Sequence, residues 1–337
     1  MNASGATMLN HVHDLGFRTG EFTVEPLPDA ETGRVLAVLA ARHGTQTDAT
    51  ALVPDGREAD LRGELAEAAP GLSALATAIR DRLESSHSGV LIRRAHFGRH
   101  DLDTRRRLLY ALAVGIGAPT ATDRDRKVVW DIKLRPELVR SGGASTFSEH
   151  ADEADFHTDT QYFPNPERYM LLYFAQAAAC GGGRSSLRDA RCVREALSGS
   201  DEGRWALDLL SQTALPFRIP ATFTRSGSRD AVEVTFATIF GDRPLIRFRT
   251  DTLRRGLAAR PEHDTPEVRR ALAILQAELD NPARRLETFM ESDSLLAMNN
   301  HEALHGRGAF ADPDRHALRI RIDDGALQDS APQDQAR

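Results

Sequence analysis

The sequence predicts a single domain built on a β sandwich or barrel, with a helical layer packed against it on the N-terminal side. Three observations lead there. From Val128 onward, short apolar runs of strand character recur: VVWDIKL, YMLLYFAQAA (169–178), SSLRD, LPFRIP, VEVTFATIF (232–240), RPLIRFR (243–249), DSLLAMN (293–299) and HALRIRID (316–323). Turn clusters such as PNPE, CGGG and FGDR separate them. Upstream of that point the apolar spacing is mostly helical. Many short strands at this spacing close into a sandwich or barrel.

In chain order, residues 31–43 and 61–84 carry apolar residues at helical spacing, with Pro70 breaking the second stretch. GVLIRR (89–94) reads as a strand. Helix returns over 101–116, with Asp101 or Asp103 as the N-cap and Gly117 as the stop. Within the β region a strong helix is expected over 265–280 and a weaker one over 190–210. The tail DGALQDSAPQDQAR is polar and expected to fray. The organisation expected is a helical segment over 1–87, a β core over 88–323 and a disordered tail over 324–337.

Composition removes several functional classes. The chain has 337 residues, enough for a large core, and its 41% hydrophobic and 27% charged content is that of a soluble globular protein. A net charge of −6 offers no positive field to displace counterions, which argues against a nucleic-acid binder. Two cysteines, Cys180 and Cys192, form neither a disulfide framework nor a CxxC metal knot. The start MNASGATMLN has neither the basic nor the apolar region of a signal peptide, and no run approaches about 18 apolar residues. A cytoplasmic protein without a membrane span is expected. Oligomeric state is not readable.

Candidate metal ligands come in two clusters. His-x-Asp occurs twice, as His150-Ala151-Asp152 and His157-Thr158-Asp159. A chain with twelve histidines produces such a triplet by chance, and the bland reading of either is a solvated polar loop. Context separates them. His150 lies in EHADEAD, an acidic run that reads as a solvated turn. His157 follows Phe156 and precedes an aromatic turn that feeds a strongly apolar strand. Two residues apart on an extended segment, His157 and Asp159 point the same way and can reach one ion.

The second cluster, at 299–307, contains His301-Glu302-Ala303-Leu304-His305, a literal H-E-x-x-H. On a helix this would place two histidines on zinc with the Glu as base, a metalloprotease. A zincin needs a third ligand downstream, yet no Glu follows Glu302, and the metzincin extension fails at Ala311. Asn299 and Asn300 before the motif, and Gly306-Arg307-Gly308 after it, also support a helix poorly.

F-H-T-D before an apolar strand and GGRSS, then N-x-x-x-L-H-G-R-x-x-F and D-R-x-x-L-R, resemble the taurine dioxygenase and clavaminate synthase-like superfamily of Fe(II)/2-oxoglutarate oxygenases. The similarity spans roughly residues 88–323, and the implied fold is the double-stranded β-helix, a jelly roll. By resemblance, His157, Asp159 and His305 are the metal ligands. Two His and one carboxylate on one face of an octahedron leave three positions for the 2-oxo acid and dioxygen. Retention of Asp159 argues against halogenation, which in related enzymes goes with a small residue there.

The distal carboxylate of 2-oxoglutarate needs a buried cation, and Arg meets a carboxylate bidentately while keeping its charge. The resemblance selects Arg319; strand alternation puts Arg321 on the same face, and Arg315 is a third option. Ser185 matches the position of a hydroxyl that touches 2-oxoglutarate. Gln161 and Tyr162 either line a substrate pocket or pack in the core, and Asn299 and Asn300 either orient His305 or occupy a turn. The implied reaction is hydroxylation of an unactivated C–H bond, with desaturation, cyclisation or epoxidation as variants. The expected substrate is a small carboxylate-bearing metabolite, amino-acid-derived, from specialised biosynthesis such as that of antibiotics. A non-catalytic jelly-roll binding protein is the reading from another class.

Overall fold

A computed structural model describes residues 7–9, 12–13, 17–44, 52–85, 87–121, 126–136, 149–224 and 232–324. Two sheets face each other. The larger runs β1 (Thr7–Leu9), β3 (Phe17–Thr23), β4 (Gly89–Ile92), β13 (Leu295–Asn299), β8 (Tyr169–Gln176), β15 (His316–Asp323) and β5 (Ala118–Pro119). On its margins β2 (Val12–His13) pairs with β3, and β6 (Trp130–Lys133) pairs with β15. The smaller sheet runs β12 (Leu286–Thr288), β9 (Ser185–Asp189), β14 (Ala303–Arg307) and β7 (Ala154–His157). A hairpin of β10 (Leu215–Arg218) and β11 (Val234–Ala237) stands apart.

Strand alternation divides the apolar residues between two sides of the larger sheet. On β8, Tyr169, Leu171 and Tyr173 face a helical layer of α1 (Asp29–His43), α2 (Glu58–Ala68), α3 (Pro70–Ser85) and α4 (Leu102–Ile116). Met170 and Phe174 face inward, where they meet Leu187 and Ala303 of the smaller sheet and Leu296 and Met298 of β13. Both faces of β8 are covered, so its sequence is apolar throughout. The smaller sheet is backed by a second helical layer: α5 (Ala190–Ser198), α6 (Asp201–Gln212), α7 (Thr250–Ala259) and α8 (Pro266–Leu279). On β15 the same alternation sends Leu318, Ile320 and Ile322 to the helices and leaves Ala317, Arg319 and Arg321 facing the interior.

Local signals hold where they were strongest. Pro70 begins α3, Asp101 caps α4 by accepting from the Thr104 N–H at 2.8 Å, and Gly117 ends that helix. Three expectations change. The segment 1–87 is not only helical, because β3 adds a parallel strand to β4. RPLIRFR is not a strand: its backbone N–H groups go to the His301 carbonyl, the Ile239 carbonyl and the Thr158 hydroxyl in turn, so no continuous ladder forms. The following TDTLRRGLAA forms α7, which the strand-like run before it masked. Asp324, placed in the tail, is buried and paired with Arg168, while 325–337 lie outside the described residues. No helix among the described residues is long and apolar enough to cross a membrane.

Candidate metal centre

His157 closes β7, and His305 stands directly opposite it in the antiparallel register of β14. Cross-strand partners bring their Cβ atoms within about 5 Å, and here the imidazole centroids lie 4.2 Å apart. Asp159 follows in the turn leaving β7, with its Oδ1 3.8 Å from His157 Nε2 and 3.9 Å from His305 Nε2. Those gaps are too long for hydrogen bonds, and two metal–ligand bonds of about 2.1 Å bridge a gap of that size. Among the described residues this is the only set of three or more His, Cys, Asp or Glu side chains whose ligand atoms converge, all within 4.8 Å of one another.

Electrostatics put each group in its ligand form. Burial, reinforced by the neighbouring His305 and Arg249, pushes the His157 imidazolium well below the usual range, and burial brings His305 down to about 4. Burial alone would raise the Asp159 carboxyl. Arg319, with Nη1 3.0 Å from Asp159 Oδ2, together with His305 and Arg321, instead holds it well below the ordinary carboxylate range. Two neutral imidazoles and one carboxylate suit a divalent ion bound on one face, the donor set of non-haem Fe(II) oxygenases. His157 Nδ1 faces the Asp155 carbonyl at 2.8 Å, and an Nδ1–H donated there leaves the Nε2 lone pair for an ion.

The turn that carries Asp159 is held from outside. The Asn300 side chain accepts from the Asp159 N–H at 2.7 Å and donates to the Asp159 and Glu167 carbonyls at 3.1 and 2.8 Å. Thr160, in the left-handed region at φ 51°, donates its hydroxyl to Glu167, which also accepts from Thr120 at 2.9 Å. The asparagines therefore do not orient His305. Asn300 clamps the Asp159 backbone, and Asn299 bonds Leu83 and His301. Glu167 gave no sequence signal, since its partners come from 7 and 47 residues away.

H-E-x-x-H is not helical. His301 and Glu302 form a turn, and His305 lies in β14. His301 Nε2 faces the Pro166 carbonyl at 2.8 Å, and Glu302 pairs with Arg191 at 2.9 Å, so neither joins His305. The other triplet also stays apart: His150 and the exposed Asp152 lie 3.7 Å from each other in a surface turn.

Between the sheets, a cavity of about 70 Å³ runs from His157 and His305 past Ser185, Met170 and Arg319 to Arg315. Arg319 and Arg321 on the inner face of β15, and Arg315 in the turn before it, thus meet three environments. Arg319 is paired with Asp159. Arg321 lies between the Trp130 and Phe223 rings, at 5.4 and 5.5 Å. Arg315 is 3% exposed and stacks on Phe310 at 4.9 Å and Phe174 at 5.4 Å. Its Nη1 has no hydrogen-bond partner, and no carboxylate pairs with it among the described residues. Arg307 also lies over the Phe310 ring, at 4.8 Å. Burial and the Arg307 charge lower Arg315 to about 10. Gly183, at φ 68°, lies against it, and a Cβ there would sit 2.9 Å from Arg315 Nε. Tyr162 packs on Phe163 and Phe223, and Gln161 is fully buried, donating to Thr252 at 2.7 Å.

No curated protein matches the chain by sequence. Its structure is similar to that of asparagine oxygenase in complex with Fe(II), 2S,3S-3-hydroxyasparagine and succinate, at 18% identity over 92% of this chain and 95% of that one, with a TM-score of 0.66. It is also similar to the non-haem iron oxygenase OrfP in complex with Fe and α-ketoglutaric acid, at 19% identity, 92% and 96% coverage and a TM-score of 0.59. At this identity the likeness supports the jelly-roll fold. The model of the taurine catabolism dioxygenase TauD, TfdA family matches residues 48–321. With that match over most of its length, the chain belongs to the TauD/TfdA family, and it is a non-haem iron, 2-oxoglutarate-dependent dioxygenase.

Proposed function

We propose that this enzyme hydroxylates an unactivated C–H bond of a small, amino-acid-derived carboxylate, with His157, Asp159 and His305 holding Fe(II). The observation that carries the reading is the convergence of these three side chains at one end of a cavity whose other end is a buried arginine without a carboxylate partner among the described residues. When bound, Fe(II) with 2-oxoglutarate and dioxygen supplies the oxidation: the co-substrate leaves as succinate and carbon dioxide, and one oxygen atom enters the substrate C–H bond.

The residues around the ion bind and orient. Arg315 receives the distal carboxylate of 2-oxoglutarate, because it is a buried cation that solvent does not neutralise. The family resemblance favours Arg319 for that role, but Arg319 is already committed to Asp159 beside the ion. There it would hold the Asp159 ligand deprotonated. Ser185 lines the same cavity and offers a hydroxyl to it. Met170, Leu172 and Ile132 give the cavity one apolar side that limits water there. Arg321, Tyr162, Phe223 and Trp130 form the far side, where a substrate carboxylate meets a guanidinium framed by rings. The amino-acid class is supported by the hydroxyasparagine and (3S)-hydroxy-L-Arg bound in asparagine oxygenase and OrfP.

A succinate-release screen with Fe(II), 2-oxoglutarate, ascorbate and a panel of amino acids and their derivatives tests the proposal. Substrate-dependent succinate with a product 16 mass units heavier is expected, the mass of one added oxygen atom. Turnover confined to carboxylate-free compounds would sink the substrate class.

A further inference from the structure

We infer that 2-oxoglutarate enters, and succinate leaves, through a cationic vestibule behind Arg315 and not past the metal. This inference rests on the co-substrate reading given above.

Arg315 borders two spaces. One is the narrow cavity that ends at the metal ligands. The other is a vestibule of about 570 Å³ between the end of β6 and the turn that enters β15. Among the described residues, Lys133, Arg135 and Arg315 line it, with Asp314 as the acid of the lining. Arg135 lies 3.9 Å from Glu149, at the limit of an ion pair, and Lys133 is exposed to solvent. A cationic mouth leading into a low-dielectric passage concentrates dianions and speeds their capture.

The inner passage also sets the direction of travel. It is narrow, about 70 Å³, with Ile132, Met170 and Leu172 on its apolar side and Ser185, Arg307 and Arg319 on its polar one. A co-substrate whose distal carboxylate comes to rest on Arg315 can enter from behind with its 2-oxo end leading. Entry from the front would drag the distal carboxylate past Asp159 and Arg319. The partition itself is a single side chain. Arg315 is held by the Phe174 and Phe310 ring faces and not by an ion pair among the described residues, so its guanidinium can turn from one space to the other. The turn that carries it is anchored separately, through Asp312, which accepts from the Ala179 N–H at 2.6 Å. On the other wall Asp131 of β6 meets His316 at 2.6 Å and fixes the mouth. Co-substrate exchange is thereby independent of whatever occupies the aromatic side of the site.

The test is stopped-flow binding of 2-oxoglutarate to the anaerobic Fe(II)-loaded protein, followed by the visible absorption of the complex, at low and high ionic strength. Lys133→Glu with Arg135→Glu should lower the association rate constant about tenfold at low salt, with the difference closing at high salt. Lys133→Arg with Arg135→Lys should retain the wild-type rate. Arg57→Glu, an exposed charge change in the N-terminal layer, should also leave it unchanged. The route is overturned if the glutamate pair binds at the wild-type rate at low salt, or if Arg57→Glu slows binding as much. Absence of any 2-oxoglutarate signal with the wild-type protein would instead remove the co-substrate reading, and the route with it.

Discussion

His150-Ala151-Asp152 and His157-Thr158-Asp159 carry the same pattern seven positions apart, yet only the second becomes a site. The difference lies in what stands opposite. His157 ends a strand whose neighbour presents His305 in register, and Asp159 sits in a turn gripped by Asn300. His150 and Asp152 close a surface turn, and their backbone carbonyls receive the Arg307 guanidinium. A metal triplet is therefore made by cross-strand partners as much as by its own residues.

The comparison can be broken most directly at its centre. His157→Ala should end Fe(II)-dependent succinate formation, while His150→Ala should leave it within about twofold, as exposed substitutions do. Equal losses in the two variants would dissolve the distinction. Next in size is the cation. Arg315→Ala should raise the 2-oxoglutarate requirement at least about thirtyfold, since truncating one side of a buried charge pair costs about 2–5 kcal/mol. Arg319→Ala should raise it less, and the reverse order would return the role to Arg319. The clamp comes third: Asn300→Ala, read by Fe(II) titration, should weaken metal affinity by about 10–100-fold. Unchanged affinity would show that the β7 turn holds Asp159 unaided. Smallest is Glu302→Gln, which loses a partly exposed ion pair with Arg191 and should cost no more than about 1 kcal/mol of stability with succinate formation retained. Abolished activity would revive the H-E-x-x-H reading.

Much of this was legible in the chain. The apolar run YMLLYFAQ, the alternation in HALRIRID, the Pro70 break and the Asp101 cap are local, and each appears where expected. The converging side chains were legible because burial signals around Phe156 and the apolar strand beyond separated one triplet from the other. Less was visible where bonds are distributed. RPLIRFR has strand character, but its donors and acceptors are shared among three loops, and α7 follows without a distinctive start. The Asn300 clamp and the Glu167 support join residues remote in sequence, so no window contains them.

By itself, then, the sequence determined the layered β architecture, the helical cover and the identity of the metal-binding types, because apolar period and residue chemistry are properties of short segments. Only the tertiary structure decided what surrounds each arginine. Arg319 and Arg321 share one face of β15, Arg315 stands in the turn before it, and all three share one chemistry. They diverge because a carboxylate stands against one, two rings frame another, and the third is buried against phenylalanines with no carboxylate beside it among the described residues.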